Sequence, residues 1–148
     1  QQSLGFNYRL TDIQCALAMS QLKRLENIVK ERNFLLNRYN FLLSELPVKL
    51  LTIPESVISA VHLAIIRINN QDASIHKRVF QNMRKRGIGV QLHYFPIHLQ
   101  PYYLKLGFKA GDFPNAEAYA YNSITLPLYP GLRKREQQYV VNTLKESF

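Results

Sequence analysis

From Thr11 to Leu46 the chain reads as helix with hardly a break, and a helix longer than its own domain restricts a small fold more than any other feature here. Thr11 is a good N-cap, and Gln14 three residues later completes the T-x-x-Q form of a capping box. From Leu22 the apolar positions Leu22, Leu25, Val29, Leu36, Tyr39, Leu43 and Leu46 follow helical steps broken only at Arg32, so one face is to be buried. Pro47 disfavours helix at the residue before it and ends the run. An unbroken helix from Asp12 to Leu46 would be about 50 Å long at about 1.5 Å per residue, more than one small domain usually covers. Either the helix kinks near Lys23 to Leu25, or its first part packs on another domain. The nearly all-apolar "CALAM" favours the second, because a helix hydrophobic all round needs cover on all sides.

Beyond Pro47 the elements shorten. "VHLAIIRIN", residues 61–69, is rich in β-branched side chains and runs into Asn69-Asn70, which reads as a strand followed by a turn. Asp72 can cap a helix through "ASIHKRVFQNMRKR", with Ile75, Val79 and Met83 as its core stripe and Gly87 as its stop. "IGVQLHY" reads as a second strand, and strand, helix, strand in this order suggests a compact α/β unit. Next, "FPIHLQPYYLKLGFKAGDFP" is a loop region punctuated by proline and glycine, long enough to be functional rather than a plain connection. Pro114 can open a helix that runs to about Asn122. "SITLPLYPG" should be a short strand and turn, and the final amphipathic helix should carry Tyr139, Val140 and Leu144 inward. No repeat and no second domain is visible, so residues 1–148 are read as a single domain.

Composition narrows the partners. With 47% hydrophobic residues and no low-complexity run, an ordered globular fold is expected. No segment approaches the roughly 18 to 20 apolar residues of a membrane span, and no leader pattern is seen, so the expectation is a soluble, cytoplasmic protein with no membrane partner. Cys15 is the only cysteine, which excludes an intrachain disulfide and a cysteine-based zinc cluster; in "IQCALAM" it reads as a small buried hydrophobe. The net charge of +9 favours anionic partners, whether nucleic acid, phosphorylated cofactors or nucleotide sugars. The cations themselves are dispersed: Lys23, Arg24, Lys30, Arg32 and Arg38 alternate with Glu26 and Glu31, while Arg84, Lys85 and Arg86 close a helix. A solvated face and a favourable helix dipole account for them, which argues against a nucleic-acid-binding stripe.

Two stretches could carry chemistry. "GFNYR" places Asn7 and Arg9 just ahead of a helix start, where they could grip an anion; the plain alternative is a coil whose Asn7 stabilises a turn and whose Arg9 is solvated. "QLHYFPIH" places His93, Tyr94 and His98 at a strand end. Five residues with Pro96 between separate the two histidines, so neither helical nor strand spacing pairs them, and three protein ligands for a metal are not in view. Either one histidine hydrogen-bonds a loop carbonyl and the other lies exposed, or the strand end presents His93 and Tyr94 to a phosphorylated ligand. His62 and His76 read as structural or solvent-facing. There is no phosphate-cradling glycine motif, neither Ser3 nor Ser20 has a neighbouring base and Cys15 has no nearby His, so the residues alone describe an anion-contacting domain without nucleophile, general base or metal.

Three motifs in order carry a resemblance: "GFNYRLTDIQCALAMSQLKRLE", "KRGIGVQLHYFPIHLQPYY" and "GDFPNAEAYAYNSITLPLYPGL". Over essentially its full length the chain resembles the C-terminal part of the pyridoxal-phosphate-dependent sugar aminotransferases, the DegT/DnrJ/EryC1/StrS family. Its wording is most similar to the branch that acts in pseudaminic acid synthesis, making UDP-4-amino-4,6-dideoxy-N-acetyl-β-L-altrosamine with glutamate as amino donor. The resemblance implies an α+β fold, the small C-terminal domain of a fold type I aminotransferase, with a long N-terminal helix and a small sheet flanked by helices. It implies a homodimer that shares sites across the interface, with Asn7 on the cofactor phosphate of the other subunit. Arg9, His93 and Tyr94 become substrate contacts, and His98 a weaker one. The family's Schiff-base lysine and pyridine-pairing acid precede the N-Y-R motif, so the expectation is a C-terminal fragment without the lysine domain, inactive alone. Other keto nucleotide sugars, or a non-catalytic scaffold role, are the alternatives.

Overall fold

The computed structural model describes residues 2–6, 8–69 and 72–148. Helix α1 (Asp12–Leu22) and helix α2 (Leu25–Leu42) are followed by strands β1 (Val48–Leu50) and β2 (Ala64–Ile68) and helix α3 (Ala73–Lys85). A 3-10 turn (Ile97–Leu99), helices α4 (Pro101–Lys105) and α5 (Pro114–Asn122), strand β3 (Ser123–Leu126) and helix α6 (Lys134–Lys145) complete the chain. The expected kink falls at Lys23 and Arg24, between α1 and α2, and the expected capping box of Thr11 and Gln14 opens α1.

The sheet has the order β1-β2-β3 and is antiparallel throughout, with Val48 opposite Ile68 and Ala64 opposite Leu126. On β2, Ala64, Ile66 and Ile68 are buried while Arg67 is exposed, the alternation of a strand with one covered face. All four residues of β3 are buried, so this strand is covered on both faces. Tyr39, Leu43, Val79, Met83, Val140, Val141 and Leu144 pack with Ile66, Ile124 and Leu126 in one core. Burying a leucine or isoleucine side chain contributes roughly 1.5 to 3 kcal/mol, so this cluster supplies the main driving force for the fold.

Polar groups tie the long helix to that core. Arg32, the residue that interrupts the apolar stripe, donates from Nη1 to the carbonyls of Val61 (3.2 Å), His62 (2.9 Å) and Leu128 (3.3 Å). Its cation sits in the apolar register because it satisfies loop carbonyls that no strand pairs. Tyr39 donates its hydroxyl to Pro127 O at 2.9 Å, and burial pushes its phenol well above the ordinary range. Buried Gln137 donates to Leu35 O at 2.7 Å and accepts from Arg38 at 2.7 Å.

Local signals account for several boundaries. Asp72 accepts from the Ser74 amide at 2.8 Å, opening α3, and Gly87 at φ +77° closes it in the left-handed region that favours glycine. Pro114 occupies the first turn of α5, which ends at Asn122 as expected.

Other expectations need correction. The strand–helix–strand reading fails for "IGVQLHY", which joins the sheet by one antiparallel bridge from Gln91 to Thr125; the architecture is α+β, as the resemblance implied. Strand β1 went unread because it is three residues long and follows Pro47 directly. Tyr139 is half-exposed rather than inward, its hydroxyl donating to Arg86 O at 3.1 Å. The stretch read as a loop region holds the 3-10 turn and α4. Cys15 is partly exposed on α1, which has no buried residue. Among the described residues no helix is long and apolar enough to cross a membrane.

Candidate functional site

Strand β3 organises the candidate site from its second covered face. Thr125 exchanges two backbone hydrogen bonds with Gln91, N to O at 2.8 Å and O to N at 3.2 Å. This fixes the chain just ahead of His93, and the side chain of Thr125 completes the hold: its Oγ1 lies 2.6 Å from His93 Nδ1. The His93 ring packs edge-on to Tyr94 with centroids 4.4 Å apart. Tyr94 is itself 71% exposed and lines a cavity of about 360 Å³ together with Phe95, Pro96, Lys77, Phe80 and Tyr121. His76, on the same cavity, holds its Nε2 3.0 Å from Ser123 O and is therefore tied to β3 as well.

His98 lies apart from this pair. It is 6% exposed, and its Nε2 is 2.9 Å from Glu117 Oε1 on α5. The same carboxylate oxygen accepts the Gly111 amide at 2.8 Å, and Asp112 accepts the Lys109 amide at 2.9 Å. These bonds draw the 98–113 segment onto α5. The Gly111 amide, with His98 second, holds the Glu117 carboxyl below its ordinary range. Phe113 stands 4.9 Å from the His98 ring and shares with it an apolar cavity of about 320 Å³.

Arg9 lies on the segment leading into α1, exposed, two residues before the Thr11 cap. It lines none of the cavities described, and Asn7 lies outside the described residues. The structure thus brings His93 and Tyr94 together, gives buried His98 a separate, partly exposed carboxylate partner, and does not join Arg9 to either. A further cavity, of about 620 Å³, is lined by Gly87, Pro127, Tyr129, Leu132, Arg135 and Tyr139 among others, none of them an expected site residue. Among the described residues no group of three His, Cys, Asp or Glu side chains is placed to hold a metal ion.

Two residues escaped the sequence reading. Thr125 is 32 positions from His93 and Glu117 is 19 from His98, so no local spacing announces either pair. The one available signal was the need of a buried imidazole for a polar partner.

The geometry can be set beside known proteins. The model of the DegT/DnrJ/EryC1/StrS aminotransferase family matches residues 1–145. Among curated relatives, the spore coat polysaccharide biosynthesis protein SpsC of Bacillus subtilis is 31% identical over 150 residues, covering 98% of this chain and 38% of SpsC. Among solved structures, PseC of Helicobacter pylori, an aminotransferase involved in pseudaminic acid biosynthesis, superposes with a TM-score of 0.90 at 28% identity, covering 99% of this chain and 40% of PseC. Spr1654 of Streptococcus pneumoniae, solved in a PLP form, gives a TM-score of 0.88 at 31% identity, covering 94% of this chain and 36% of that one. The chain spans about 38% of the length of the curated relatives it matches.

Proposed function

Because the chain belongs to the DegT/DnrJ/EryC1/StrS aminotransferase family, we propose that it is the C-terminal part of a pyridoxal-phosphate-dependent enzyme. That enzyme moves an amino group from glutamate to a 4-keto-6-deoxy UDP-amino sugar of the pseudaminic acid type. The observation that carries this reading is the superposition on PseC across 99% of the chain, added to a family match over 145 of its 148 residues. The similarity to SpsC favours a second reading, the same reaction on another keto nucleotide sugar.

The described residues offer cationic and hydrogen-bonding contacts but not a full cofactor site. The cavity holding Tyr94 contains Lys77 without a carboxylate, and the one holding His98 contains no lysine. A covalent anchor for pyridoxal phosphate requires a lysine amine, and tuning its ring requires an acid on the pyridine nitrogen. Within this proposal both lie in the remainder of the longer protein, and the cofactor supplies there the electron sink for amino transfer. This chain positions and neutralises. His93, held by Thr125, and exposed Tyr94 meet the anionic and hydroxyl oxygens of the sugar nucleotide. Arg9 meets substrate charge, and Asn7 the cofactor phosphate, in each case across a homodimer interface. His98, locked to Glu117, supports the loop behind Tyr94.

The test is made in the full-length protein with pyridoxal phosphate and glutamate. His93→Ala and Tyr94→Phe should raise KM for the UDP-keto sugar about tenfold, the loss of a hydrogen bond to a charged oxygen, with glutamate KM unchanged. Unchanged sugar KM in both variants would remove the pair from the substrate site.

A further inference from the structure

The hydrogen bond behind His93 sets more than its position. A neutral imidazole carries one N–H and one bare nitrogen, and the partner of one nitrogen decides the role of the other. Among the described residues, the hydroxyl of Thr125 has His93 Nδ1 as its hydrogen-bond partner, at 2.6 Å, and Thr125 is 5% exposed. Were Nδ1 to carry the proton, the hydroxyl would have to accept, and its own O–H would be left buried without an acceptor. Donation from the hydroxyl to Nδ1 leaves only oxygen lone pairs unused, and a buried donor without a partner is the rarer and costlier outcome. The hydroxyl is also rigidly placed: Thr125 is β-branched and sits on a strand bonded to Gln91 in both directions.

We propose that Thr125 is a positioning residue, which fixes His93 in the tautomer bearing hydrogen on Nε2 so that Nε2 donates to an anionic oxygen of the ligand. Among the described residues the hydrogen bond of the His93 ring is the one at Nδ1, and the packing neighbour, Tyr94, stands at 75° to the ring with centroids 4.4 Å apart. With Nδ1 accepting from Thr125, Nε2 carries the hydrogen of the neutral ring, so the site selects an acceptor oxygen. A diphosphate oxygen of a nucleotide sugar has this chemistry. The inference rests on the reading of His93 as a substrate contact only for the identity of the ligand; the tautomer follows from this chain alone.

The experiment uses the full-length protein labelled with nitrogen-15 in histidine, at pH 8 where an ordinary imidazole is neutral. Long-range proton–nitrogen spectra, with His93 assigned by its loss in His93→Gln, should show a single Nε2–H tautomer. Thr125→Val, which removes the hydroxyl at constant shape, should mix the tautomers, and Thr125→Ser should restore the pattern. Adding UDP should shift the Nε2 proton in wild type and Thr125→Ser, and leave it nearly unmoved in Thr125→Val. In turnover, Thr125→Val should raise KM for the UDP-sugar about tenfold with kcat within about threefold, and Thr125→Ser should recover it. An Nδ1–H tautomer in wild type, or an unchanged tautomer in Thr125→Val, overturns the proposal. Should the protein turn over no nucleotide sugar, the substrate reading fails while the spectra still decide the tautomer.

Discussion

Helices α1 and α2 are separated by two residues, yet α1 buries none of its eleven residues while α2 puts Leu35 and Tyr39 in the core. The first spreads its apolar residues around the helix, with Ile13, Leu17, Met19 and Leu22 all exposed, and nothing among the described residues buries any of it. The second is apolar on one face, and that face meets α6 and the loops leading into and out of the sheet through Tyr39, Arg32 and the Gln137 amide. An apolar stripe is matched to a surface within its own domain. A helix apolar all round calls for surfaces this chain does not provide, and the proposal assigns those to the rest of a longer protein and a second subunit.

The contrast can be broken or sharpened by substitution, beginning with the core. Leu144→Ala should destabilise this chain by about 2 to 5 kcal/mol, because the side chain is fully buried on α6; urea unfolding reads it. Tyr39→Phe should cost about 1 to 2 kcal/mol by leaving Pro127 O without its donor. Thr11→Ala, which removes the cap of α1, should cost about 1 kcal/mol of helix stability, visible as lost helicity by circular dichroism.

Acid tests the other half of the fold. Glu117 and Asp72 both have carboxyls held below their ordinary values, by the Gly111 amide and His98 in one case and by Ser74 in the other. A lowered folded value means stability that is present above the unfolded value and lost as pH falls through the folded one. The Tm advantage of wild type over Glu117→Gln should therefore be full at pH 6 and shrink below about pH 4.5, the ordinary glutamate value. A gap that persists unchanged at pH 3 would mean that the ionised carboxylate does not hold the loop. The smallest effect belongs to α1: Leu17→Ser in this chain should change stability by less than about 0.5 kcal/mol. A cost near that of Leu144→Ala would show α1 covered in solution and dissolve the contrast.

Much of the frame was legible because it is written locally. The Thr11 box, Asp72, Gly87 and Pro114 all act within four residues of themselves, and each stands where its chemistry placed it. What stayed hidden depends on distant partners. β1 exists because Val48 finds Ile68, and "IGVQLHY" is held by one bridge because β3 lies between it and β2. Tyr139 faces outward because its hydroxyl finds Arg86 O, 53 residues away. In the candidate site, His93, Tyr94 and His98 could be singled out from a strand end before a proline, whereas Thr125 and Glu117 could not, since only folding brings them to the imidazoles.

The most direct measurement is amino transfer by the full-length protein supplied with pyridoxal phosphate, glutamate and a UDP-4-keto-6-deoxy amino sugar, followed by mass spectrometry of the nucleotide sugar. The account predicts a 4-amino product formed in step with 2-oxoglutarate and lost when His93 and Tyr94 are replaced together. Failure of the protein to aminate any keto nucleotide sugar would contradict it.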